Sequence, residues 1–208
     1  MTKAELRKIY LEKRRAIPPD EHAELSRKIA ARFFEAVHIS PVKTVHCFIS
    51  LKHAGEVETA SLFRKLWKDF PNVRTFAPRI DERSGEIDAI AFGSESELIQ
   101  NRRKIPEPVG GEAADPLEID VVVVPLICFD ELGFRVGYGK GFYDKFLSKC
   151  RPDCLKIGLS FFPPVERIDD ANEYDIPLDL CIMPDRTYRS RRRFEQDAQD
   201  TQDTKVNC

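Results

Sequence analysis

The chain has 208 residues, 42% of them hydrophobic and 33% charged, with 33 Lys and Arg set against 35 Asp and Glu for a net charge of −2. That length suits one domain burying roughly 70% of its unfolded surface, and the composition excludes collagenous, coiled-coil and disordered classes for the bulk of the chain. The balanced charge argues against general nucleic-acid binding, which leaves a basic footprint, and no apolar run approaches the roughly 18 residues of a membrane span.

Residues 3–16 read as a charged helix with Leu6, Ile9 and Tyr10 on one side. Pro18-Pro19-Asp20 interrupts it, and Asp20 is placed to cap a second helix running through Val37, with Leu25, Ile29, Phe33 and Val37 as its core stripe. A strand is expected at 45–50. Thr59 then reads as the N-cap of a helix carrying Leu62, Phe63, Leu66 and Phe70, which Pro71-Asn72 ends. Strands follow at 73–77 and 87–92. The run at 121–124 is four consecutive valines, the pattern of a strand buried on both faces. A helix at 141–149 and strands at 157–160 and 180–183 complete the alternation. The reading is a single α/β domain over 1–188: three layers, α/β/α, around a central, largely parallel sheet. Pro184 is expected to close the fold, leaving 189–208, with RSRRR followed by EQDAQDTQDTK, as a polar disordered tail.

The opening MTKAELRKIYLEKRRAI carries charges throughout and no apolar signal core, so a cytoplasmic protein is expected. The six cysteines (Cys47, Cys128, Cys150, Cys154, Cys181, Cys208) are scattered, and His22, His38, His46 and His53 supply no matching zinc ligands. Free thiols in a reducing compartment are the expected state.

Chemistry concentrates in Asp120 to Leu147, DVVVVPLICFDELGFRVGYGKGFYDKFL. A buried strand gives way to a loop with Gly133, Gly137, Gly139 and Gly141, and a helix begins near Phe142. In open parallel sheets ligands bind beyond the carboxyl ends of the strands. Glycines there let the backbone approach a ligand, and free N–H groups at the following helix suit an anion, most naturally phosphate. Arg135 and Lys140 add positive charge. Asp144 would repel phosphate unless a divalent cation such as Mg²⁺ lies between them; its alternative is a carboxylate that favours the helix dipole for about 0.3–1 kcal/mol. The loop is neither a Walker A sequence nor a Rossmann fingerprint.

Residues 133–144, GFRVGYGKGFYD, resemble the signature of the 5-formyltetrahydrofolate cyclo-ligases, also called methenyltetrahydrofolate synthetases. KAELR at 3–7, EVET at 56–59, IPEP at 105–108 and YDIP at 174–177 resemble further marks of that family in the same order, so the likeness spans residues 3–184. It implies conversion of 5-formyltetrahydrofolate and ATP to 5,10-methenyltetrahydrofolate, ADP and phosphate with Mg²⁺. It further implies ATP contacts from Lys3, Arg7, Arg135, Val136, Gly137, Tyr138, Gly139, Lys140, Gly141, Phe142 and Tyr143, with Arg135, Lys140 and Asp144 carrying the catalytic roles. Asp144 and Asp175 would hold the metal. Leu51, Glu56, Glu58 and Tyr143 would meet the folate, Glu58 being the preferred acceptor for the pterin donors; Phe48, Leu51 and Trp67 are candidates for its apolar surface. Without the resemblance, Lys3 and Arg7 read as a solvated helix face, Asp175 as a turn residue, and Glu56 and Glu58 as solvated loop acids.

Two departures bear on the folate side. Tyr174-Asp175 stands where many relatives read His-Asp, and Phe161-Phe162-Pro163-Pro164 replaces a region where relatives often carry Gln. They motivate an alternative, a catalytically silent protein that binds nucleotide or folate. A nucleic-acid role for RSRRR is opposed by the acidic residues after it. The expected partners are the two substrates alone, without nucleic acid or membrane, and the expected state is a monomer.

Overall fold

The first helix, α1 (Lys3–Arg15), starts where Thr2 and Glu5 cap each other's backbone N–H groups. The second, α2 (Pro19–Ala36), has Pro18 at its cap and Pro19 in its first turn, where a fixed φ is already helical. Asp20 therefore lies inside the first turn, facing the helix dipole, rather than capping it. The computed structural model describes residues 1–81 and 83–190.

Strand β1 (Thr44–Cys47) leads through a 3₁₀ turn at Lys52–Ala54 to α3 (Ala60–Asp69). Thr59 does hold the cap position, but its own backbone is helical and its hydroxyl donates to the Phe48 carbonyl instead of capping. Then come β2 (Arg74–Asp81), β3 (Glu86–Ala91), β4 (Leu98–Gln100), β5 (Pro106–Pro108) and β6 (Ala113–Ala114). The valine run is β7 (Val121–Val124), followed by β8 (Cys128–Phe129), β9 (Arg135–Val136) and α4 (Phe142–Leu147). Last are β10 (Leu155–Leu159), β11 (Leu180–Ile182) and β12 (Thr187–Arg189).

Eight strands form one sheet in the order β12-β11-β10-β7-β1-β2-β3-β6. The five from β11 to β2 are parallel, and β12, β3 and β6 add antiparallel edges. β7 sits centrally, with Val121 opposite Val45 on one side and Leu155 on the other. Its side chains alternate: Val121 and Val123 join Phe33, Leu62 and Leu66 of α2 and α3, while Val122 and Val124 join Phe146 and Leu147 of α4. Each such buried side chain contributes about 1.5–3 kcal/mol, which is why the valines run without a polar break. Helix α1 does not cover the sheet. Leu6 packs on Ile127, Cys128 and Val136 of the β8–β9 hairpin, and this brings the amino end of the chain to the glycine loop.

Pro184 does not close the fold. The chain turns back so that Thr187 to Arg189 pair with β11, and Ser190 is buried with its N–H on the Asp179 carbonyl. The expected boundary at 188/189 thus falls inside a strand; the rest of the proposed tail, residues 191–208, lies outside the described residues.

Candidate active site

The glycine loop is set by the turn before it. Asp130, fully buried, accepts the N–H groups of Leu132 and Phe134 on Oδ1 and that of Ile168 on Oδ2, holding the β8–β9 hairpin against a distant segment. Gly133, at φ +89°, lets that turn meet residue 178: a Cβ there would stand 2.5 Å from the Leu178 carbonyl oxygen. Beyond the hairpin the backbone turns left-handed at Gly139 (φ +80°) and at Gly141 (φ +68°), the cap of α4. Arg7 Nε donates to the Gly137 carbonyl at 2.8 Å, and its guanidinium lies beside Gly139.

Two ion pairs stand beside this loop. Arg135, its side chain 5% exposed, gives Nη2 to Asp144 Oδ1 at 2.8 Å and Nη1 to the Ile176 carbonyl at 2.5 Å. Burial pushes its pKa down, and the adjacent Asp144 charge opposes that. The Ile176 N–H also falls on Asp144 Oδ1, so Oδ2 is left for another ligand. Lys3 Nζ meets both oxygens of Asp175, at 2.5 and 2.7 Å, and the Asn172 N–H fixes Asp175 Oδ2. Lys140 is exposed and has no carboxylate partner among the described residues.

Facing the loop is a buried acceptor. Glu56, 4% exposed, accepts the Leu51 N–H on Oε2 at 2.7 Å and the Tyr138 hydroxyl on Oε1 at 2.8 Å. Burial raises its pKa, while these donors and the charges of Arg14 and His53 pull it back. Arg14, 3% exposed, hydrogen-bonds the Leu126 carbonyl and reaches the Tyr138 oxygen at 3.4 Å. The sequence reading missed Arg14. Its signal was spacing, since residues 7 and 14 lie two turns apart on one helix face with Lys3.

Arg14 lies behind the wall, holding Tyr138; the loop, the two ion pairs and Glu56 line one cavity of about 500 Å³, within the range of small-molecule sites. It brings together Lys3, Arg7, Leu51, Glu56, Arg135, Gly137, Tyr138, Gly139, Lys140, Gly141, Phe142, Tyr143, Asp144 and Asp175, together with Phe48. Three expected residues lie off its wall. Val136 is turned into the core beneath α1. Glu58, the preferred pterin acceptor, is exposed and only its backbone N–H is engaged, by Ser26. Trp67 sits among Phe63 and Phe92 with Nε1 on Thr75. Ile80, Ile87, Arg103 and Ile105 join the wall without having been singled out.

A model of the 5-formyltetrahydrofolate cyclo-ligase family matches residues 1–182. The chain belongs to this family. A 5-formyltetrahydrofolate cyclo-ligase of Escherichia coli (strain K12) is 32% identical over an alignment of 190 residues that covers 85% of this chain and 97% of that relative. The NMR structure of Aquifex aeolicus 5,10-methenyltetrahydrofolate synthetase matches with TM-score 0.78 at 31% identity, covering 92% of this chain and 94% of that one. A 5,10-methenyltetrahydrofolate synthetase from Mycoplasma pneumoniae matches at TM-score 0.70 and 27% identity, over 88% and 99%. Family membership makes the chain an enzyme of the cyclo-ligase type, and the α/β architecture read from the sequence is the one these relatives share.

The fit of a metal turns on the donors present. Among the described residues no three metal-ligating side chains cluster, so there is no all-protein cage. Two carboxylates beside an anion-suited loop instead match the way Mg²⁺ binds, through one or two carboxylates plus phosphate oxygens and water.

Proposed function

We propose that the cavity converts 5-formyltetrahydrofolate and ATP to 5,10-methenyltetrahydrofolate, ADP and phosphate. One observation carries this reading: a phosphate-suited glycine loop with two carboxylates faces a buried hydrogen-bond acceptor across a single cavity. The polyphosphate lies along Gly137 to Gly141, met by backbone N–H groups and the charges of Arg7 and Lys140. Lys3 moves from Asp175 to phosphate oxygen as the nucleotide arrives. The pterin places its amino and ring N–H donors on Glu56, whose oxygens are oriented by Leu51 and Tyr138.

The formyl group on N5 is amide-like, so its oxygen leaves poorly and N10 attacks it weakly. Transfer of the γ-phosphoryl to that oxygen breaks the bond to ADP and gives an N5 iminium phosphate. N10 then closes the ring on the formyl carbon and gives up its proton to the departing phosphate, which carries the formyl oxygen away as inorganic phosphate. Such a transfer asks the protein for alignment and charge neutralisation rather than a covalent partner. Arg135, fixed by Asp144 and Ile176, supplies a rigid positive charge. Mg²⁺, when bound by Asp144 and Asp175, supplies neutralisation of phosphate charge. A cytoplasmic setting suits the five described cysteines, all free and buried. Among the described residues, no helix is long and apolar enough to cross a membrane.

The silent-binder alternative has no observation in its favour. Phe161 and Phe162 pack against His22 and Tyr10, off the cavity wall. The test is optical: protein, ATP, Mg²⁺ and 5-formyltetrahydrofolate should generate the near-ultraviolet methenyl chromophore with matching ADP. Folded protein that yields neither overturns the reading.

A further inference from the structure

We infer that Arg103 is a specificity residue of this site, taking a carboxylate of the glutamate that the folate substrate carries. The inference rests on the reading above and names the group that holds the far end of its substrate.

Arg103 sits at the tip of the hairpin joining β4 to β5, and that tip is fixed. Asn101 Oδ1 accepts the N–H groups of Arg103 and Ile105 at 2.9 and 3.1 Å. Asn101 Nδ2 donates to Glu107 Oε1, and the same buried oxygen accepts the Ile80 N–H of β2. The Pro-Glu-Pro segment thereby latches the tip to the sheet edge. Lys104 is the one non-glycine among the described residues with positive φ, +60°, and strain of this kind persists where surrounding structure imposes it, often at ligand clamps.

The tip carries a charge without a match. Arg103 lies over the Phe142 ring, 5.4 Å from its centroid, on the cavity wall. Lys3 and Arg135 in the same cavity each hold a carboxylate; Arg103 holds none among the described residues. The wall under it is apolar: Phe142 packs in one cluster with Ile80 and Ile87, and Ile105 lines the same cavity, a surface for an aryl group rather than for a polyphosphate, which needs the N–H groups of the glycine loop. The loop also sets the span. Tyr138 touches Glu56 and Phe142 lies beneath Arg103. Only Gly139, Lys140 and Gly141 stand between them, so their Cα atoms are at most about 14 Å apart. A pterin on Glu56 thus extends its aminobenzoyl arm along the apolar wall and brings the glutamate to Arg103, where a guanidinium fork fits a carboxylate in two parallel hydrogen bonds.

Steady-state kinetics with the full chain separate the possibilities. For Arg103→Gln we expect KM for 5-formyltetrahydrofolate to rise about tenfold, with the loss confined to that KM and the KM for ATP unmoved. Arg103→Lys should recover part of it. With 5-formyltetrahydropteroate as its methylamide, which lacks the glutamate and carries no carboxylate, wild type and Arg103→Gln should have the same KM. An equal loss on the pteroate substrate, or no loss on either, overturns the inference; a raised KM for ATP assigns Arg103 to phosphate and overturns it too. If wild type binds 5-formyltetrahydrofolate in calorimetry without turning it over, the enzyme reading fails. The ratio of folate to pteroate affinity in wild type and variant then decides this inference alone.

Discussion

Along one wall of the cavity, twelve consecutive residues (133–144) provide the turn, the left-handed glycines, the helix start, Arg135, Lys140 and Asp144. The opposite wall is assembled from pieces far apart in the chain: Glu56 after β1, Ile80 and Ile87 from the β2–β3 pair, and Arg103 from a hairpin tip. The first wall works largely through backbone geometry, which glycine positions fix locally. The second works through side chains that single buried hydrogen bonds aim, such as Tyr138 on Glu56 across 82 residues of chain. Continuous machinery tolerates little change in sequence, whereas an assembled wall can be re-specified one side chain at a time. The chemistry should therefore be lost at the first wall and substrate preference tuned at the second.

The largest effect should come from the first wall. Asp144→Asn keeps an oxygen for Arg135 and the Ile176 N–H but removes the charge that a metal and the guanidinium both need. Turnover should fall by on the order of a hundredfold or more. Arg135 is buried, so stability should fall as well, by about 2 kcal/mol, below the full cost of a severed buried pair because Asp144 is 27% exposed. Chromophore assays and thermal unfolding of the same sample measure both; a variant that keeps wild-type turnover would break the proposed division of labour.

Next comes the second wall. Glu56→Gln should raise KM for 5-formyltetrahydrofolate roughly ten- to a hundredfold, the worth of a hydrogen bond to a charged group, and leave KM for ATP nearly unchanged. Glu58→Gln, on the exposed neighbour, should alter neither. Equal effects from the two substitutions would show that the buried position of Glu56 does not matter for binding.

That pair marks the limit of what the sequence conveys. The central sheet was legible because four valines in a row have few other uses, and the glycine loop because its parts are adjacent. Glu56 and Glu58 are indistinguishable in an E-x-E segment. What separates them is the 3₁₀ turn at Lys52–Ala54 and left-handed Gly55, which return the chain so that Glu56 meets the Leu51 N–H. The β4–β5 hairpin was hidden for another reason. All three residues of β4 are exposed, so no alternation of polar and apolar residues announces it. Arg14 looked like one more charge on a charged helix, although it is buried.

His46 tests the seam between the walls. It is fully buried on β1, its ring packed on Tyr143 and Phe146 of the segment following the glycine loop, with neither nitrogen hydrogen-bonded. Desolvation pushes its pKa from 6.5 to about 3. The unfolded chain takes up a proton near 6.5 that the folded one refuses, so stability present above 6.5 is lost as the pH falls towards 3. At pH 5 the loss from this group is about 2 kcal/mol. Glu56, raised by burial, works in the opposite direction, so the comparison must be between variants. His46→Leu should unfold less readily than wild type at pH 5 and differ little at pH 7.5, as read by denaturant titration. Parallel pH profiles would show that the seam admits a proton.

The smallest effect belongs to the hairpin tip of the second wall. A left-handed conformation costs a non-glycine residue about 1–2 kcal/mol, and Lys104 adopts it at φ +60°. Lys104→Gly removes that cost but adds freedom to the unfolded chain worth about 0.5–1 kcal/mol. The net gain should be about 0.5 kcal/mol, or about 1–2 °C in Tm for a chain of this size, while Lys104→Ala, which keeps the penalty, should gain nothing. Because Asn101 holds the N–H groups on either side of position 104, the tip keeps its shape and the KM for 5-formyltetrahydrofolate should stay within about twofold. A stabilised variant with a sharply raised KM would mean that the strain itself, rather than the Asn101 and Glu107 hydrogen bonds, presents Arg103 to the cavity.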